Sequence, residues 1–186
     1  IQKMATAGIN VVSFDLILDT AVIRDLFHSS HTINDYKRTY KNIQEANIRV
    51  VPHVLIGANF GKIGAEIDAI KFVTQTPPDM MVFIVMIPPK QNGRIDPRFN
   101  CIEPQDVARL ILIARYFNPN MEISLGCMRM RQKAYRKMEK WGIQAGANRI
   151  EIPGNSTLKW LHRLNFHIER YNACCAISQE YETLLR

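Results

Sequence analysis

The chain has 186 residues and a net charge of +7, with 24 Lys and Arg against 17 Asp and Glu; 47% of it is hydrophobic and 22% charged. That length fits a single domain, residues 1–186, with room for a substantial core, and the composition excludes a disordered or fibrous chain. No apolar run approaches the roughly 20 residues that cross a bilayer and the opening does not read as a basic-then-apolar leader, so the expectation is a cytoplasmic protein without a membrane partner.

In chain order, IQKMATAGINVV reads as the tail of a helix entering a strand over 11–15. A chain that opens inside a structural unit is expected to be an excerpt or processed part of a longer protein. A helix is predicted over 20–28 after Asp19, and another over 34–46 with Asn34 or Asp35 as its N-cap. A turn at Asn47 leads to a buried strand over 49–57 and a Gly-rich turn, which feeds a helix over 64–74. A strand over 81–88 follows, then NGRIDPRFN at 92–100, the most loop-like stretch of the chain. The helix over 103–117 has Pro104 in its first turn and Pro119 just past its end. A strand over 123–128, a helix over 132–145 stopped by Gly146, and a strand over 149–153 come next. A last helix, capped by Asn155 or Ser156, runs to Leu164.

The predicted strands are short and rich in Val, Ile and Met, as strands covered on both faces are. The fold class is therefore α/β, with parallel-sheet (β/α) repeats. Five such units are too few to close an eight-stranded barrel, and an open sheet would expose its edges. We expect part of a TIM-like barrel, whose working end is the C-terminal tips of the strands. Parity places Ile123, Leu125 and Cys127 on one face, with Arg129 continuing it past the tip. Ile150 and Ile152 face the covering helices, so Arg149 and Glu151 point into the barrel, as an ion pair or as the lining of a polar substrate pocket. His53 shares a face with Val51, Leu55 and Gly57, as a satisfied core group or a substrate contact.

Basic residues cluster in MRMRQKAYRKMEK, from Met128 to Lys140, and around Lys159, His162 and Arg163. They are solvated helix faces or a surface for an anionic partner; sparse aromatics argue against nucleic acid. Cys101, Cys127, Cys174 and Cys175 include no C-x-x-C pair. They read as buried thiols, with a site role open for Cys127 or for Cys174 and Cys175.

The turn IGANFGKIGAE, Ile56 to Glu66, has three glycines and then a carboxylate one turn into a helix. Such glycines let backbone approach a ligand closely, beside the free N–H groups of a helix N-terminus. A strand with an Asp-Thr end, Y-x-x-x-x-x-x-I-x-x-A-x-I-x-V and then I-G-x-x-x-G-x-I-G-x-E follow one another. Later come Ala114-Arg115 before Pro119, Ile123-Ser124-Leu125, an Arg at the strand tip, and Gln144-Ala145-Gly146-Ala147-Asn148. This series resembles radical S-adenosylmethionine enzymes, in particular the biotin synthase and lipoyl synthase branch, over residues 8–166.

The resemblance implies a TIM-like barrel, radical C–H activation and sulfur insertion. It implies S-adenosylmethionine and a [4Fe–4S] cluster as cofactors, with ferredoxin or flavodoxin as reductant, a small-molecule or carrier-bound substrate and a homodimer. Ser13, Asp15 and Asp19 fall where the ribose hydroxyls are held. Gly57, Gly61, Ile63 and Gly64 would pack on the adenine, with Glu66 bracing the turn. His53, Arg129, Arg149 and Glu151 would line the substrate side. Arg129, or Arg131 under an ungapped match, falls beside a second iron–sulfur cluster, and Cys127 could serve as a metal ligand or sulfur donor. The C-x-x-x-C-x-x-C triplet that holds the [4Fe–4S] cluster is absent, so this chain alone is expected not to be active. Two other readings stay open. One is a different (β/α)-barrel enzyme acting on an anionic or phosphorylated small molecule; the other is a non-catalytic barrel-like subunit.

Overall fold

A computed structural model describes residues 1–177. In chain order the elements are α1 (Gln2–Thr6), β1 (Val11–Asp15), a π-helical turn at Val22–Leu26, α2 (Ile33–Glu45), β2 (Arg49–Ile56), α3 (Ala65–Gln75) and β3 (Met80–Val85). There follow β4 (Lys90–Gln91), β5 (Arg94–Ile95), α4 (Pro104–Phe117), β6 (Glu122–Leu125), a 3₁₀ turn at Lys133–Tyr135, α5 (Arg136–Gln144), β7 (Arg149–Ile150) and α6 (Asn155–Arg163). The five apolar runs pair as one parallel sheet in the order β1-β2-β3-β6-β7. None of the described helices is long and apolar enough to cross a membrane.

Alternation along the strands sorts the two faces. Val50, Val54, Ile56, Met81, Phe83, Val85, Ile123 and Leu125 pack under Tyr40 and Ile43 of α2, Ile70 and Val73 of α3, Leu110 and Ile111 of α4, and Met138 of α5. These helices therefore all lie on one face. On the other face Val51, Met80 and Val82 pack against Cys175 and Ala176. Register partners in a parallel sheet project to the same side, so Asp15, His53, Val82, Ser124 and Arg149 form one row across this second face.

Local chemistry moves several boundaries. The cap of α2 is Thr32, not Asn34 or Asp35: Asp35 sits at the third helical position, and its carboxylate returns to the Thr32 backbone, closing a capping box. Residues 92–100 are not wholly loop. Asn92 (φ 52°) and Gly93 (φ 77°) make the two-residue turn of the β4–β5 hairpin. Over 132–145 the first turn is 3₁₀ and the α-helix starts at Arg136.

Candidate functional site

The tips of β1 and β2 are joined by side chains. The Oδ1 of Asp19 accepts from the Ala21 and Val22 N–H groups at 2.8 and 3.2 Å, capping the π-helical turn. Its Oδ2 accepts from Asn59 Nδ2 at 2.9 Å, which ties the end of the β1 segment to the Gly-rich turn. Beneath them Ile17, Asp19, Ala58, Asn59 and Glu66 border a cavity of about 20 Å³, room for one water. Asp15, the last residue of β1, is exposed, as is Ser13 one row below it.

Glu66 braces the Gly-rich turn as expected. Its buried carboxylate accepts from Gly57 N–H at 2.7 Å and Gly64 N–H at 2.8 Å. The glycines act differently from the expectation of a ligand cradle. A Cβ on Gly57 (φ 78°) would lie 2.4 Å from the Ile102 side chain, and one on Gly61 (φ 81°) would lie 2.2 Å from the Asn100 carbonyl oxygen. The close approach that these positions permit is made by the chain's own residues 100–102. Lys62, Ile63 (37% exposed) and Gly64, with nothing within 4 Å of a Cβ, face open space on this turn.

On the second face of the sheet, the Val51 carbonyl accepts from His53 Nδ1 at 3.1 Å, and His53 Nε2 stands 4.0 Å from Cys175 Sγ. Arg149 pairs with Glu122 and donates to the Ile177 carbonyl at 2.8 Å. Ser124, in the same row, is fully buried, and its Oγ lacks a hydrogen-bond partner among the described residues. Glu151 is half-buried just beyond β7, and Cys127 is exposed beyond β6.

Arg129, expected beside substrate, lies instead in the helix layer at 2% exposure. Its guanidinium donates to Glu139 at 2.8 Å and to the carbonyls of Gly126, Glu151 and Ile152. Glu139 in turn accepts from Gly154 N–H at 2.9 Å and Thr157 Oγ1 at 2.6 Å. Burial pulls the Arg129 pKa down, against the opposing effect of Glu139. The neighbouring Arg131 is exposed and donates to the carbonyls of Ile152 and Cys127 at 2.8 and 3.2 Å.

A second arginine was legible only as part of a motif. Arg115 donates to the carbonyls of Gly146, Pro119 and Met121 at 2.7–2.8 Å, and to Asn148 Oδ1. Asn148 Oδ1 also accepts from Ile123 N–H at 3.1 Å. The spaced Ala-Arg, Pro and Ala-Gly-Ala-Asn pieces thus meet as one clamp at the N-terminal ends of β6 and β7. A groove of about 780 Å³ opens at this same end, bordered by Arg49, Pro78, Asp79, Phe117 and Glu122. It contains none of the expected site residues.

Among the described residues, no three His, Cys, Asp or Glu side chains are grouped to hold a metal ion. The chain matches no protein-family model and no curated protein.

Proposed function

We propose that this chain is part of the wall of a TIM-like (β/α) barrel. In this reading it supplies the substrate side and part of the S-adenosylmethionine pocket of a radical S-adenosylmethionine enzyme of biotin or lipoyl synthase type. The observation that carries the proposal is the winding of the sheet. Its strands follow chain order, and α2 to α5 all cross on one face. A barrel wall is wound this way, whereas a doubly wound sheet reverses direction and carries helices on both faces.

In such a wall the second face lines the barrel, and the strand tips are the reacting end. The segments that resemble the cofactor-binding ones, 13–19 and 57–66, are adjacent there, joined through Asn59 and Asp19. Asp15 offers an exposed carboxylate to vicinal ribose hydroxyls, and Ile63 and Gly64 offer open surface to a flat base. Gly57 and Gly61 would act by shaping the turn and Glu66 by holding it. S-adenosylmethionine, when bound, supplies the carbon centre that takes hydrogen from the substrate. His53, Arg149 and Glu151 would orient the substrate. A [4Fe–4S] cluster does not fit the described residues, which hold neither the cysteine triplet nor a three-ligand group; in this reading its ligands lie elsewhere in the enzyme. A reductant such as ferredoxin or flavodoxin and a small-molecule or carrier-bound substrate are the partners it needs.

Saturation-transfer NMR with S-adenosylmethionine tests the pocket. Saturation of adenine and ribose protons by the wild type, lost in Asp15→Ala, is the expected result; no transfer to any ligand proton would sink the reading. The row that sets Asp15 beside His53 favours a second reading, acid–base chemistry on an anionic or phosphorylated small molecule. Inorganic phosphate shifting the His53 ring resonances, with no response to S-adenosylmethionine, would select it.

A further inference from the structure

The second face of the sheet carries a sulfur pair that the proposed function does not use. Cys174 is exposed and Cys175 is buried, and neither is in a disulfide. Cys175 and Ala176 pack on Val51, Met80 and Val82, so the 174–177 segment lies as a strap across the sheet. Arg149 holds its far end through the Ile177 carbonyl at 2.8 Å. The two sulfurs are 3.9 Å apart, and Cys175 Sγ is 4.0 Å from His53 Nε2.

The ring of His53 has a defined orientation. The Val51 carbonyl can only accept, so Nδ1 carries the hydrogen of that bond; a ring with no second hydrogen has its Nε2 lone pair on the side of the Cys175 thiol. Burial first, then the neighbouring Cys174, pushes the Cys175 thiol up to about 12, so it rests protonated. Of the pair, the exposed Cys174 is the sulfur that an oxidant in solution reaches first.

We propose that Cys174 and Cys175 are a peroxide-responsive thiol pair, with His53 as proton acceptor, whose closure frees the 174–177 strap from the sheet. The oxidant is a small hydroperoxide. The Cys174 sulfur attacks one peroxide oxygen and the O–O bond breaks. The thiol proton leaves with the departing oxygen as water or alcohol, and Cys174 becomes a sulfenic acid. The Cys175 sulfur then attacks the Cys174 sulfur while its proton passes to His53 Nε2. The S–S bond forms, the S–O bond breaks, and the departing hydroxide recovers that proton as water. Two thiols are oxidised and one hydroperoxide is reduced. Closure turns Cys175 away from Val51, Met80 and Val82. A bridge between adjacent residues is strained and therefore readily reduced, which makes the change reversible.

Hydrogen peroxide acting on the reduced chain tests the proposal. Two of the four thiols should be lost, and tryptic mapping should place an internal disulfide in peptide 171–186, reversed by dithiothreitol. Cys175→Ser should stop at a Cys174 sulfenic acid trapped by dimedone. Cys174→Ser, a change at an exposed position, should leave Cys175 unreacted. His53→Asn should slow closure on the order of 100-fold without slowing sulfenic acid formation. Closure should speed tryptic cleavage after Arg170 by roughly ten-fold. A bond from Cys174 to Cys101 or Cys127, two thiols lost at wild-type rate in Cys174→Ser, or peptide 171–186 left reduced would each overturn the pair. An unchanged cleavage rate would overturn release of the strap. S-adenosylmethionine takes no part in these measurements, so this pair and the proposed function fail separately.

Discussion

Replacing Arg129 by methionine tests what holds the tips of β6 and β7 against the helix layer. The guanidinium is 2% exposed and joins Glu139 of α5 to carbonyls at both tips. Methionine fills much of the volume but leaves the Glu139 carboxylate buried without its cation, with only Thr157 and Gly154 as donors. Removing one partner of a buried ion pair costs about 3–5 kcal/mol, because the surviving charge is uncompensated. At about 2–4 °C per kcal/mol for a domain of this size, the melting temperature should fall by roughly 10 °C. Thermal and urea unfolding followed by circular dichroism measure both. The double change Arg129→Met with Glu139→Gln leaves no buried charge, keeps an acceptor for Thr157, and should recover much of the loss. Burial raises the Glu139 pKa, but hydrogen bonds from Thr157, Arg129 and Gly154 outweigh it and hold the group below its ordinary value. The unfolded chain therefore takes up this proton first as pH falls. The contribution is complete above the ordinary carboxylate range and is lost as pH drops through the folded-state value. Arg129→Met should accordingly weaken the acid limb of the stability profile. A loss under about 1 kcal/mol, the size of an exposed pair, or a double variant no more stable than the single one, would refute this account.

Three further outcomes probe the turn and the clamp. Glu66→Gln can accept from only one of the Gly57 and Gly64 N–H groups and sets a second donor against the other, so it should cost about 1–3 kcal/mol and speed amide exchange at both glycines. Gly61→Ala and Gly93→Ala share positive φ values of 81° and 77°, but only the first meets an obstacle, the Asn100 oxygen at 2.2 Å. The backbone cost of about 1–2 kcal/mol is common to both, so denaturant unfolding should show Gly61→Ala the worse by about 1–3 kcal/mol of overpacking. Arg115→Met withdraws donors from the Gly146, Pro119 and Met121 carbonyls and should cost about 1–3 kcal/mol; a melting point within one degree of wild type would show that solvent replaces the clamp.

The strands were legible because a buried parallel strand has few compositional options, and all five predicted runs pair with one another. Their ends were less so. The run at 149–153 pairs only over Arg149–Ile150, since the carbonyls of Glu151 and Ile152 are taken by Arg129. The hairpin at 90–95 was marked by its Asn-Gly turn, but flanking strands of two exposed residues carry no apolar alternation to reveal them. The cap of α2 was displaced by two or three residues because Thr32, Asn34 and Asp35 all favour such positions. Only the reciprocal bond between Thr32 and Asp35 distinguishes them.

At the candidate site, sequence parity separated the two faces correctly for Arg149 and Ile150 but not for Ile152, which leaves the strand at φ 46° and is 64% exposed. Nor could it tell which charged side chain would be consumed by its neighbours. Arg129 follows the face of Ile123 and Leu125, and both of those pack on helices. Continuing that parity past the tip therefore places it in the helix layer, where Glu139 supplies the counter-charge. The Gly-rich turn shows the same limit in another form. Three glycines and a carboxylate describe a backbone that something approaches closely, and composition cannot say whether that is a ligand or the chain itself. At Gly57 and Gly61 it is the chain, through Ile102 and Asn100. What remains open at this turn is its outer edge at Lys62, Ile63 and Gly64. A ligand held there would meet a turn made rigid by Glu66 and by its own packing, so less ordering entropy would be lost on binding than at a flexible glycine loop.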